Sequence, residues 1–172
     1  MKVKKRFFVL IAFSVMAAMP VFSEEGKFTS ISEVNGRIKV LENNTSVWFE
    51  FKAIKEANNI RISDGFFRCW PEDKSEETSA DVVYMQVDDG YAWFAGKCTN
   101  DNGDLTGRWF FMVVHDGGTP GCIADQLWLD WLPATPDAET IAKAKVENLE
   151  KPAVSKSIEA GDIIIKVCSK EK

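Results

Sequence analysis

Apolar and polar side chains alternate one for one through most of this chain, a period of two that belongs to strands and not to helices. Val47, Phe49 and Phe51 alternate with Trp48, Glu50 and Lys52, and Ile38 and Val40 with Arg37 and Lys39. Strand-like runs follow at 59–63, 65–70, 82–87, 91–98, 107–115, 126–132 and 162–167. Asp88-Asp89-Gly90 separates two of them and is a strong hairpin signal. About nine strands joined by short turns predict an all-β fold, an antiparallel β-sandwich or small barrel. One segment departs from the pattern. Thr135 can cap a helix near 136–150, with Pro136 first, Asp137 and Glu139 at the positive end of the dipole, and Pro152 as the stop. Ile141, Val146 and Leu149 give that helix an apolar stripe.

The first 23 residues read as a secretory signal. Lys2, Lys4, Lys5 and Arg6 precede an apolar run from Phe7 to Phe22, with Val21 and Ser23 at the small-residue positions before Glu24. The run is shorter than the roughly 20 residues of a membrane span and is broken by Ser14 and Pro20. The expected organisation is therefore a signal peptide over 1–23 and a single β-domain over 24–172. Such a chain is secreted or periplasmic, with no membrane span once the signal is cleaved. Without the four basic residues of the signal, 17 Lys and Arg face 26 Asp and Glu, a net charge of −9. That balance repels phosphate backbones and argues against nucleic acid as a partner.

Cys69, Cys98, Cys122 and Cys168 all follow the signal, and no CxxC or CxH spacing suggests a metal. In an exported chain they suggest two disulfides. Chain reversal at each hairpin puts Cys69 and Cys98 at one end of the sheet. Cys122 and Cys168 meet at the other if the last strand runs antiparallel to 126–132. The expected bridges are Cys69–Cys98 and Cys122–Cys168.

The stretch VVHDGGTPGCIADQLWLDWL (Val113–Leu132) gathers the only histidine, a cysteine, three glycines and three aspartates, two of which, Asp116 and Asp125, bracket the glycine loop. His115, Asp116, Gly117, Gly118, Gly121 and Asp125 form a candidate loop site. Its glycines permit positive φ, and Asp116 and Asp125 can accept hydrogen bonds from loop N–H groups. The functional reading of the same aspartates is a calcium site, since hard cations take carboxylate and carbonyl oxygens. No other cofactor is expected. His115 and Asp116 are adjacent on a strand and point to opposite faces, which disfavours a His–Asp relay, and no G-x-S-x-G nucleophile occurs. A carboxylate pair for glycoside hydrolysis would come from Glu50, Asp81, Asp125 and Asp130. Trp93, Trp109 and Trp128 make a candidate aromatic face, either an exposed platform for a glycan or cell-surface protein or the second side of a double-sided core.

The order VWFEFKA, DGFFRCW, VDDGYAWFAGKC, GRWFFMVVHDGGTPGCIADQLWL and EAGDIIIKV, running from Val47 to Val167, resembles secreted prokaryotic β-domains of the "post-COAP" kind. In those a strand leads into a D-x-G-x-P-G turn, then a second Asp and strand, and a final G-G-N-I-x-I-H strand. The resemblance implies a small extracytoplasmic β-domain with no settled activity. Asp162 stands where the final motif has Asn, its terminal His is missing, and the helix before the last strand is longer than the usual loop. The expected function is an exported non-enzymatic β-domain with a binding or structural role on the cell exterior or in the periplasm. The alternatives are a small secreted hydrolase acting on a glycan or other polar substrate, and a calcium-stabilised adhesion module.

Overall fold

A computed structural model describes residues 29–42, 44–56, 59–101, 103–118, 125–156 and 158–170. Eight strands and one helix follow in chain order: β1 (Thr29–Glu42), β2 (Thr45–Glu56), β3 (Asp64–Pro71), β4 (Thr78–Asp88), β5 (Tyr91–Asn100), β6 (Trp109–His115), β7 (Gln126–Trp131), α1 (Ala138–Glu147) and β8 (Ile158–Lys170). All belong to one sheet in the order β7-β6-β5-β4-β3-β2-β1-β8, with every pairing antiparallel. The sheet curls into a nearly closed barrel in which β7 and β8 face each other across the gap.

The expected ninth strand, 59–63, is not one. Arg61 makes a single bridge to Tyr84, and two backbone bonds (Ile62 N–H to Val83 O, Met85 N–H to Ile60 O) lay the stretch against β4. It carries too few pairing residues to continue the ladder. The Asp88–Gly90 signal gives the expected hairpin: Asp88 pairs with Tyr91, and Asp89 and Gly90 take φ of 44° and 75°. Two successive positive φ values match the right-handed twist of the flanking strands.

The alternation fills two cores. Inward residues Phe49, Phe51, Phe67, Phe94, Phe110, Met85 and Met112 fill the barrel and are fully buried. Gly36 faces Phe51 across β1 and β2, and the ring occupies the space a Cβ would need. On the other face, Tyr84, Trp93, Trp109, Phe111 and Val113 are buried beneath α1. This second layer is why β5 and β6 are apolar on both sides.

The helix runs over Ala138–Glu147, inside the expected 136–150. Its N-cap is Asp137, with no side-chain capping bond, and the Thr135 carbonyl accepts the Ala138 N–H. Glu139 in the first turn and Lys145 in the last suit the dipole. Of the expected stripe, Val146 is buried and Leu149 packs against the sheet, but Ile141 is 38 % exposed, and Ala138 and Ala142 complete the buried face. Alanines at this spacing let the helix backbone approach the broad Tyr84 and Trp109 rings, whose own bulk fills the space between layers. Among the described residues no helix is long and apolar enough to cross a membrane.

Candidate functional site

The glycine loop proves to be a clasp. Asp116 Oδ1 accepts the N–H of Gly118 at 2.8 Å, and its Oδ2 accepts that of Ile165 on β8 at 3.1 Å. Asp125 repeats the arrangement: Oδ1 takes Gly117 N–H at 2.9 Å and Oδ2 takes Ile163 N–H at 2.8 Å. Each carboxylate thus spends one oxygen on the loop and the other on an edge strand. Ile163 and Ile165 are two apart, so their N–H groups point the same way, out of the β1–β8 ladder and across the gap. The aspartates replace the backbone acceptors that a ninth neighbour would supply. One direct bridge, Lys156 N–H to Leu127 O at 2.7 Å, adds to the closure.

Sequence reasoning found the loop half of this arrangement and missed the β8 half, because nothing local ties Asp116 to a residue 49 positions on. Gly118 alone of the three candidate glycines takes positive φ among the described residues, at 78°, while Gly121 lies outside them. His115 stacks on Tyr91 with ring centroids 4.2 Å apart, and its Nδ1 has no hydrogen-bond partner. It makes no contact with the Asp116 carboxylate that would serve as a relay. Among the described residues no group of three or more His, Cys, Asp or Glu is placed to hold a metal.

The expected Cys69–Cys98 bridge is not formed, and Cys69, Cys98 and Cys168 are free thiols. Cys69 and Cys98 do share one end of the sheet, on β3 and β5, but β4 runs between them: Cys69 pairs with Thr78 and Cys98 with Ala80. Of the Cys122–Cys168 bridge, Cys122 lies outside the described residues, and Cys168 is exposed on β8 with no bond to sulfur. Burial, opposed by a hydrogen bond from Thr78, pushes the Cys69 thiol up to about 12. Burial also raises Cys98, helped by the charge of Asp101.

Trp93 and Trp109 of the candidate aromatic face form the second side of a double-sided core and not an exposed platform. Trp93 and Trp109 are only 4 % and 7 % exposed beneath α1, and Trp93 Nε1 donates to the Glu150 carbonyl. Trp128 is half-buried beside Tyr91 and Lys151. The carboxylates considered for hydrolysis are dispersed: Glu50 on β2, Asp81 on β4 and Asp130 on β7, with Asp125 engaged in the clasp.

A different aromatic cluster, not covered by the helix, is partly open to solvent. The helix packs on β4, β5 and β6, so the outward residues of β1, β2 and β3 lie beyond its cover. There Trp48 and Trp70 are direct cross-strand partners, and the Arg37 guanidinium lies 5.3 Å and 5.8 Å from their ring centroids. One strand position along, Glu50 pairs with both Arg37 and Arg68, and Arg68 lies 5.1 Å over Phe66. No carboxylate comes within ion-pair distance of Arg37 or Arg68 among the described residues, whereas Arg61 is near Glu139 and Arg108 holds the Leu132 carbonyl. A hollow of about 200 Å³ opens here, lined by Arg37, Glu50, Arg68, Trp70, Lys74 and Glu77. The signal in the sequence was the W-x-E of β2 facing the R-x-W of β3, legible only once their register is known. No family model, curated protein or solved structure matches the chain.

Proposed function

We propose that the chain is an exported, non-enzymatic β-domain of the post-COAP-like kind. It binds a glycan on the cell exterior or in the periplasm, and the outer face of β1–β3 is its binding surface. The carrying observation is the Trp48–Trp70 pair with Arg37, partly exposed beyond the cover of α1, whereas Trp93, Trp109 and Phe111 are buried beneath it. Partly exposed indoles on a rigid sheet offer flat, preorganised surface at little entropic cost. The basic, apolar amino-terminal segment supports export.

The experiment is affinity electrophoresis of the protein in gels cast with neutral and acidic polysaccharides. Retention in at least one gel, lost in a W48A/W70A double variant of unchanged circular dichroism, is the expected result. Equal migration of both proteins in every gel refutes the binding reading. Shortening of the polymer would put the hydrolase reading in its place, with Glu50 and Glu77 as the carboxylates that face one hollow.

A further inference from the structure

The groups around the hollow on β1–β3 specify more than a surface. Two guanidiniums and an ammonium (Arg37, Arg68, Lys74) face it together with two carboxylates (Glu50, Glu77) and one indole (Trp70). Both guanidiniums are held in place by rings and not by acids: Arg37 lies over Trp48 and Trp70, Arg68 over Phe66. An aromatic face fixes a guanidinium without consuming its N–H donors, so the fork stays available for a bidentate oxyanion. Lys74 is set at the rim by a tight turn. Its N–H bonds the Pro71 carbonyl at 2.9 Å, its φ is 56°, and Asp73 accepts from both the backbone and the hydroxyl of Ser75. A left-handed, non-glycine residue held this way costs conformational energy.

A bare inorganic anion has no use for the two carboxylates beside these cations. A ligand that carries one oxyanion and several hydroxyls uses both kinds of group, the cations on its acid and the carboxylates on its O–H donors. The indole supplies a flat surface for the C–H face of a ring. At about 200 Å³ the hollow is smaller than a drug-sized site and suits one monosaccharide unit. We infer that the hollow is a subsite for a carboxylated sugar, a uronic-acid unit of an acidic glycan. This rests on the binding reading above and adds the ligand class. The cationic groups also stand out against a sequence in which Asp and Glu outnumber Lys and Arg by 26 to 21.

The test is isothermal titration of the full chain with polygalacturonate, its methyl ester, dextran sulfate and poly-glutamate. Polygalacturonate should bind, added salt should weaken it, and the ester should bind at least about tenfold more weakly. R37A and R68A should each cost at least about tenfold with circular dichroism unchanged, and E50Q should weaken the polymer without making the ester bind. Equal binding of the acid and its ester overturns the uronate assignment and leaves the glycan reading standing. Dextran sulfate or poly-glutamate bound as tightly overturns it in favour of a sulfated polymer or an acidic protein. Binding of none of the four, with no retention in the gels, sinks both readings.

Discussion

Burial decides which cysteine reacts. Cys69 and Cys98 lie in or against the barrel core, while Cys168 faces solvent on the edge strand. The thiolate is the nucleophile, so a thiol raised to about 12 is nearly silent at neutral pH even where a reagent can reach it. Iodoacetamide at pH 8 should modify Cys168 in the native protein and spare Cys69 and Cys98; both should label after unfolding without reductant. Rapid native labelling of Cys69 contradicts its burial, and failure to label on unfolding would mean the two sulfurs are joined. The same shift has a pH signature. The Cys69 value is higher folded than the ordinary 9.0, so its contribution is whole below pH 9 and drains away from there up to about pH 12. The fall in melting temperature over that window should be shallower in Cys69→Ala than in the wild type. Four cysteines are easy to count in the sequence, but their distances depend on which strand comes between. Here it is β4, and no spacing rule contains it.

At the scale of elements, the strands were legible because alternation is a local consequence of the pleat. The hairpin was legible too, because Asp89-Gly90 supplies the positive φ that the turn demands. The helix was found, and Val146 and Leu149 of its stripe do pack against the sheet, but Ile141 does not. Hydropathy picks out Ile141, whereas packing against two broad rings selects residues small enough to let the axis come near. For Trp93 and Trp109 the sequence leaves a platform and a double-sided core both open for the same reason: only the position of α1 settles which aromatic face is covered. Ala142 is fully buried, so Ala142→Leu should overpack the layer and destabilise by about 1–3 kcal/mol. Ile141→Ala, on the open side, should change stability by less than about 0.5 kcal/mol. Urea unfolding compares the two directly, and the reverse ranking would place the wrong face of α1 against the sheet. Trp48 and Trp70 went unnoticed as a pair because 21 residues lie between them in the chain while none does across the ladder.

The whole molecule has one seam, and the clasp holds it. A sheet of eight strands that stopped at β7 and β8 would leave two edges, and an open edge invites pairing with another chain. Asp116 and Asp125 occupy the donors of Ile163 and Ile165 on the β8 edge while holding Gly117 and Gly118 just after β6. Both functions depend on the two separate oxygens of a carboxylate, which is why a loop with three glycines is bracketed by two aspartates. A hydrogen bond to a charged group contributes about 1.5–3 kcal/mol, and removing the acceptor leaves an edge donor unpaired. Asp125→Ala and Asp116→Ala should each destabilise by about 2 kcal/mol, or roughly 5 °C in melting temperature for a chain of this size. Asn keeps one acceptor oxygen, so the asparagine variants should fall between alanine and the wild type. The clasp predicts no effect of EGTA on the wild-type midpoint, whereas a calcium site would make the melt chelator-sensitive. With both aspartates replaced, the bared β8 edge should pair between molecules, read as a dimer or larger species in light scattering. A double variant that melts like the wild type would mean that the Lys156–Leu127 bridge closes the seam alone, and the aspartates would then need a different reason to be there.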